Sequence, residues 1–259
     1  MYIVALEIDA LSPLDLVRFW SSLLGRDTDA AGAWLPGRSD PDFALRFIVT
    51  HTAKSGLHRM HLDLTSSSDE DQQRTVDLAL ELGARHFDVG QRGDEGHVVL
   101  ADPEGNEFCV IQAGNHFLAN TARIGALAGD GSREVGYFWS RALRWPLVWD
   151  QDGETAIQSP RGGTKITWGG PPVPAKHGRN RLRWAMETEL PLEAELDRLR
   201  ELGAVVLTSS AQDAELTDPD GNEFVLSRPG PEALVALEAV RSWHPSRSRG
   251  PRKWSCGGS

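Results

Sequence analysis

An internal repeat limits the folds that are open to this chain. A seven-residue phrase occurs as DPEGNEF at 102–108 and again as DPDGNEF at 218–224. Further anchors recur in the same order, and the spacings between copies run from 116 to 122 residues. They are FW at 19–20 and 138–139, AK.G at 53–56 and 175–178, and ELGA at 81–84 and 201–204. The pattern predicts a tandem duplication of a unit of roughly 115–120 residues, too long for a solenoid repeat.

Within each half the hydrophobic period alternates between that of strands and that of helices. YIVALEID at 2–9 alternates like a strand, and SPLDLVRFWSSLLG at 12–25 begins with Ser-Pro and ends with Gly, as helices do. Further strands are predicted at 42–50 and 58–65, then a helix from 69, then two more strands. This strand–helix–strands order occurs twice in each half, so the chain should hold four such modules.

The repeated phrase itself is typical of a hairpin turn. Asp102 can accept hydrogen bonds from the backbone ahead of it, Pro103 fixes φ, and Gly105 suits a left-handed conformation. We therefore predict a domain at 1–112, a linker at 113–122 and a second domain at 123–229. A C-terminal helix at 230–244 and a disordered basic tail at 245–259 should follow.

Charge and cysteine content limit the partners. The last 19 residues hold five of the 27 basic residues and none of the 37 acidic ones, so the first 240 carry a formal charge of −15. Such an acidic body disfavours nucleic acid and anionic membranes. With two cysteines, Cys109 and Cys256, no disulfide framework is implied, and a cytoplasmic location is expected.

The ordered motifs resemble one known group. The FW…LLG helix, the K……HLDL strand, the LGA after the second helix and the DPEGNEF turn are together similar to the vicinal oxygen chelate (VOC) superfamily, in its glyoxalase-like/bleomycin-resistance/dioxygenase branch. The resemblance covers about residues 1–112 and 123–229. It implies an α+β fold in which four βαβββ modules form two open, cup-like sheets with helices outside and a ligand inside.

The resemblance also implies where a metal ion would bind. Members that use a divalent ion hold it with His and Glu side chains from the first and last strands of the modules. Of the matching positions, only His61 carries a residue of that type. The matching positions are Ala5, His61 and Cys109 in the first half and Ile124, Arg183 and Val225 in the second. We therefore expect no cofactor and no metal site, with a divalent ion as the alternative.

Strand alternation supplies other candidates for the inside of the first cup. If His61 points inward, so does Asp63, and Glu7 shares a face with Ala5. We predict that Glu7, His61, Asp63 and Cys109 gather there. The first three are then candidate catalytic residues, because a carboxylate beside an imidazole suits acid–base chemistry. The competing interpretation is that His61 and Asp63 only hydrogen-bond near a strand end.

Aromatic and cationic residues are the candidate ligand contacts. Trp34 and Trp168 fall on or near strands that should line the cups, Arg183 could clamp an anionic group, and Cys109 lies on the last strand of the first half. Each has a plain alternative as a packed or solvated side chain. The repeated Lys54/Lys176 and Arg59/Arg181 could line the mouths of the cups, but solvated loops explain them as well and are the preferred expectation.

The sequence thus predicts a protein that binds a small organic ligand, aromatic or antibiotic-like, in a cup without the usual metal centre. The alternative is a lyase, isomerase, dioxygenase or cyclase that uses Glu7 and His61 of the first cup, by metal or acid–base catalysis. A third interpretation is a domain that serves as an interaction scaffold. We expect a monomer or a weak homodimer. Two arrangements are open, with cups completed within each half or by exchange of modules.

Overall fold

The structure is a computed structural model that describes residues 1–37, 42–92, 95–173, 175–176 and 178–230. Apart from Gly230, the predicted C-terminal helix and basic tail lie outside the described residues. Residues Met1–Arg228 form one compact unit. None of the described helices combines the length and apolar character that crossing a membrane requires.

Four helices follow the predicted apolar periodicity. On α1, buried residues recur at helical spacing from Leu16 to Leu24, and Gly25 ends the helix in the left-handed conformation. On α2, the Ser68 hydroxyl caps the first turn by accepting a hydrogen bond from the Asp71 amide at 3.2 Å. The helices are α1 Pro13–Leu24, α2 Asp69–Glu81, α3 Arg133–Leu143 and α4 Leu192–Leu202.

The strands fall into the four predicted modules, two in each half of the chain. The first module holds β1 Tyr2–Ala10, β2 Trp34–Leu35 and β3 Ala44–Val49. The second holds β4 Met60–Leu64, β5 Arg85–His86, β6 Val98–Ala101 and β7 Glu107–Val110. The third holds β8 Ile124–Gly129, β9 Leu147–Gln151, β10 Glu154–Ser159 and β11 Gly162–Trp168. The fourth holds β12 Leu182–Glu187, β13 Val205–Ser209, β14 Asp213–Thr217 and β15 Glu223–Ser227.

These strands form two open sheets, and each sheet uses both halves of the chain. The first sheet has the order β13-β14-β15-β12-β1-β3-β2, and the second has β5-β6-β7-β4-β8-β11-β10-β9. The first and fourth modules meet where β1 pairs with β12, and the second and third meet where β4 pairs with β8, both antiparallel. Module exchange between the halves is therefore the arrangement that the chain adopts.

The helices cover one face of each sheet, which we call the outer face, and the opposite face is the inner face. Met60, Leu62 and Leu64 of β4 belong to the main hydrophobic core on the outer face, as alternation predicts. Leu6 and Ile8 of β1 do the same in the first sheet. The residues between them in sequence consequently point to the inner faces.

The repeated phrase is a buried turn that holds the helix of the preceding module. The Asp102 carboxylate accepts hydrogen bonds from the amides of Glu104 and Asn106 at 2.9 Å and from the Trp20 indole of α1 at 3.3 Å. In the second copy Asp218 accepts from the Trp139 indole of α3 at 3.1 Å. The phrase, with the FW pair that repeats beside it, thus has a structural role.

The repeated cations are more enclosed than the sequence suggested. Lys54 forms an ion pair with Glu107 at 2.6 Å, and its side chain is 11% exposed. Arg181, 10% exposed, binds Glu104 at 2.9 Å and reaches from the segment before β12 into the first copy of the turn. Arg59 makes the reciprocal contact, donating to the Asp220 carbonyl at 2.8 Å. The expectation of solvated loops was wrong, because the segments before β4 and β12 hold the two halves of the chain together.

Candidate functional site

The inner face of the first sheet carries Glu7 and Arg183 opposite each other on β1 and β12. The Arg183 guanidinium lies 2.8 Å from an oxygen of Asp9 and 3.6 Å from an oxygen of Glu7. Its side chain is 5% exposed. Since two carboxylates already engage this cation, the local charge does not favour the anionic ligand that Arg183 was predicted to clamp.

The same face has a floor of small side chains. Ala5, Ala44 and Ala185 form a buried cluster against which Trp34 packs. The Arg46 guanidinium lies 5.0 Å from the centre of the Trp34 ring, in a cation–π contact. Trp34 therefore lies on an inner face, as predicted, beside a set of charges that compensate one another.

The inner face of the second sheet carries His61, Asp63 and Cys109. His61 and Asp63 lie on β4 with 3.3 Å between the imidazole Nε2 and a carboxylate oxygen. Cys109 is directly across from Asp63 on β7. One ligating atom of each residue lies within 4.8 Å of the others. The structure thus brings three of the four predicted residues together and leaves Glu7 on the other sheet.

Electrostatics make the His61–Asp63 pair a charged one. Burial disfavours the imidazolium, but hydrogen bonding to Asp63 and Cys109 and the charge of Asp63 outweigh it and raise the pKa of His61 to about 10. Burial raises the pKa of the Cys109 thiol. At neutral pH the site therefore holds an imidazolium and a protonated thiol beside Asp63, a set that can donate or accept a proton.

Apolar and aromatic side chains surround this polar pair. Cys109 packs with Val99, Ile111, Leu118 and Ala126, and Phe87 and Phe117 pack against this cluster. Phe117 and Leu118 belong to the 113–122 linker, which consequently covers part of the inner face. Sequence analysis missed this wall, since nothing in a linker motif shows which surface the linker will cover.

A cation and a second ring flank Phe117. The Lys165 ammonium of β11 donates to the Phe117 carbonyl and lies 4.5 Å from the centre of its ring. The Trp149 ring lies edge-on to it, with 6.0 Å between ring centres. Alternation along β11 could have identified Lys165, because its neighbours Thr164 and Ile166 are both buried.

Trp168 lies elsewhere. Its side chain is 3% exposed and belongs to the main core on the outer face, near the start of α3. The structure therefore does not bring Trp168 to either inner face. Core packing, the plain alternative for any tryptophan, describes its position.

The two inner faces differ in their fitness for a divalent ion. The first sheet offers Ala5, Val225 and the ion-paired Arg183 at the positions that the family resemblance implies, which is not a ligand set. The second offers a nitrogen, an oxygen and a sulfur donor in His61, Asp63 and Cys109. This mixed set suits a borderline-soft ion such as Zn²⁺. Asp63 is the donor that the sequence-based comparison of ligand positions did not count.

Two open sheets, each joining modules from both halves, define the class as the VOC superfamily. The chain belongs to its glyoxalase-like domain family, whose model matches residues 5–111 and 126–227. The fold is similar to that of glyoxalase I from Zea mays, with a TM-score of 0.61 and 13% identity over 93% of this chain and 96% of that one. A point mutant of the same enzyme gives 0.62 and 14%, with the same coverage. No curated protein matches the sequence.

Proposed function

We propose that the chain binds a small organic molecule on the inner face of the second sheet. The observation that carries this proposal is the meeting of one charged pair, His61 and Asp63, with an otherwise apolar and aromatic wall. Small-molecule sites typically combine such a wall with a few convergent polar groups. Perturbed titratable groups also concentrate at functional sites.

The wall favours a ligand with a flat ring. The Phe117 ring already packs here with the Lys165 ammonium 4.5 Å from its centre and Trp149 edge-on at 6.0 Å, so this face accommodates an aromatic group. At the polar end, the imidazolium of His61 can donate a hydrogen bond and Asp63 can accept one. A ligand with a ring at one end and a hydroxyl or carbonyl group at the other fits both features.

A thermal-shift screen of small aromatic metabolites and antibiotics tests the proposal. Binding to the folded state raises the melting temperature. A hit should stabilise the wild type and Glu7→Gln, whose side chain lies on the other sheet, but not His61→Gln. The proposal fails if every hit stabilises His61→Gln as much as the wild type, or if Glu7→Gln abolishes the shift instead.

A second candidate is catalysis at the same site, as a lyase, isomerase, dioxygenase or cyclase. The convergence of three donor atoms within 4.8 Å favours it. A divalent ion held there by His61, Asp63 and Cys109 would supply Lewis acidity to a substrate oxygen. Without an ion, the His61–Asp63 pair can move a proton by itself.

Elemental analysis separates the two candidates. Protein prepared without chelator should carry a stoichiometric divalent ion if the catalytic alternative with a metal holds, and His61→Gln and Cys109→Ser should lose it. Absence of metal from supplemented wild-type protein would count against that alternative and leave metal-free ligand binding or acid–base chemistry.

A further inference from the structure

A cavity lies away from both inner faces, between the two linkers that join modules within each half. It has a volume of about 520 Å³, within the usual range for small-molecule sites. Residues between Thr50 and Met60 line one side, and 175–176 with 178–182 line the other, with Asp9 and Asp130 at the ends of β1 and β8. Neither the sequence motifs nor the proposed function accounts for it.

The cavity is rich in hydrogen-bond donors. Its lining includes five cationic side chains against two carboxylates, and three hydroxyl groups. One of those carboxylates, Asp9, is already bound to Arg183 at 2.8 Å. The cations are Lys54, Arg59, Lys176, Arg179 and Arg181, and the hydroxyl groups belong to Thr50, Thr52 and Ser55.

The two lysine ion pairs place their cations in the cavity lining, whereas the Asp9–Arg183 pair places its carboxylate there. Lys54 and Lys176 line the cavity, whereas their partners Glu107 and Glu223 lie outside its lining, at 2.6 and 2.5 Å from the ammonium groups. Each ammonium also donates to one loop carbonyl, of Gly56 at 2.7 Å and of Gly178 at 2.6 Å. Since an ammonium has three N–H groups, each lysine retains one donor for a ligand.

His58 is a cavity residue whose buried imidazole makes no hydrogen bond to the described residues. Its side chain is 8% exposed, and its Nδ1 lies 3.3 Å from an oxygen of Glu107 without forming a hydrogen bond. Asn180 takes the equivalent position in the second half, where its backbone amide donates to Glu223 at 3.1 Å and its side-chain amide donates to Asn222 at 3.0 Å. A buried polar ring without hydrogen bonds is costly, and a bound acceptor would relieve that cost.

The lowered pKa of His58 is consistent with cationic side chains around the cavity. Burial, followed by the charges of Lys54, Arg181 and His61, lowers the pKa of His58 to about 3. The ring is therefore neutral at physiological pH and can donate one N–H. Lys54, Arg181 and His61 are the charges that oppose its protonation, and Glu107 is the carboxylate that faces it at 3.3 Å.

We propose that the cavity between the linkers is a second binding site, which takes a small anion bearing carboxylate or phosphate oxygens. Lys54, Lys176 and the His58 ring supply the donors, and Thr50, Thr52 and Ser55 add hydroxyl groups. An oxyanion is the acceptor-rich partner that such a donor-rich cavity fits. This site is independent of the ligand proposed for the second sheet.

Calorimetric titration of the full chain tests the proposal. The titrants are inorganic phosphate and, separately, succinate, with the ionic strength held constant by chloride. Saturable binding of at least one of these anions to the wild type is expected. Ser55→Trp, a change in an exposed loop residue that fills the cavity, should abolish it. Arg133→Gln removes an exposed cation outside the cavity and should bind like the wild type.

His58→Phe gives a sharper signature, because the two effects have opposite signs. The variant should bind the anion that saturates the wild type about tenfold more weakly, the loss expected for one hydrogen bond. It should also raise the melting temperature of the anion-free protein. Lack of saturable binding of either anion to the wild type would overturn the proposal. So would unchanged binding in Ser55→Trp, a result that can be read even if His58→Phe does not fold.

Discussion

At the scale of single residues, a comparison of the two copies of the repeat distinguishes side chains with a structural role from those that could bind a ligand or take part in chemistry. Both copies retain the buried turn aspartate, the indole that bonds it and the lysine–glutamate pair. By contrast, His58, His61 and Asp63 in the first copy become Asn180, Arg183 and Ala185 in the second. The same backbone thus supports a donor set in one sheet and a compensated ion pair in the other.

His58 should make the protein sensitive to acid. Its folded-state pKa of about 3 lies below the unfolded value near 6.5, so its contribution is complete above pH 6.5 and is lost as pH falls towards 3. Lys54, Arg181 and His61 oppose its protonation, while Glu107, 3.3 Å away, is the facing carboxylate. Within this window, protonation of His58 should lower the free energy of unfolding by about 1.4 kcal/mol for each unit that the pH falls.

Denaturant unfolding of the wild type and His58→Phe at several pH values between 7 and 4 measures this slope. The stability advantage of His58→Phe should grow as pH falls. A constant difference between the two proteins would show that His58 does not resist protonation.

The indole donors of the repeated FW pairs should matter for stability. Trp20→Phe keeps the ring packing but removes a hydrogen bond to Asp102, a carboxylate that is fully buried. We expect a loss of about 1–3 kcal/mol of unfolding free energy, and the same for Trp139→Phe. Trp149→Phe, at a partly exposed ring, is the matched control, and an equal loss there would contradict the assignment.

At the scale of elements, each turn also holds the start of a helix. The Glu104 carboxylate accepts hydrogen bonds from the amides of Leu11 and Ser12 at 2.9 and 2.8 Å, just before α1. Asp220 accepts from the amide and hydroxyl of Ser132 at 2.5 and 2.8 Å, just before α3. Carboxylates are favoured there because helix starts carry unpaired amides and a positive dipole end.

Replacing Asp220 by Asn should destabilise the protein. The amide keeps its size but loses the charge and one acceptor, so a cost of about 1–2 kcal/mol is expected. Asp197→Asn is the control, since Asp197 forms an exposed pair within α4 and such pairs contribute little. Equal unfolding midpoints for the two variants would argue against the helix-start role.

At the scale of the whole molecule, exchange of modules makes the two halves interdependent. Each sheet contains strands from both, and the linker arginines reach across to the opposite turn. Both sheets are thus completed within a single chain, which supports the expectation of a monomer. A sizing measurement that gives a stable dimer would contradict it.

Cutting the linker should not separate the halves. With a protease site inserted between Ala119 and Asn120, both exposed, the cleaved halves should elute together and separate only in denaturant. The pairings β1–β12 and β4–β8 provide backbone hydrogen bonds that hold them. Independent elution of the fragments under native conditions would contradict the observed sheet order.

The sequence by itself determined the duplication, the four modules and the direction of side chains along β4. These follow from local physics: a period of two in strands, the spacing of apolar residues on helices, and the conformations that Gly and Pro allow. Alternation therefore placed His61 and Asp63 on one face of β4, and the family resemblance added Cys109 of the last strand to that face.

Tertiary structure alone decided which modules share a sheet. Backbone hydrogen bonds between strands are the same whichever partner supplies them, so alternation cannot choose between β4 and β12 as the neighbour of β1. That choice moved Glu7 away from His61 and beside Arg183. It also placed Phe117 over one inner face and enclosed His58 between linkers, because burial depends on chain segments distant in sequence.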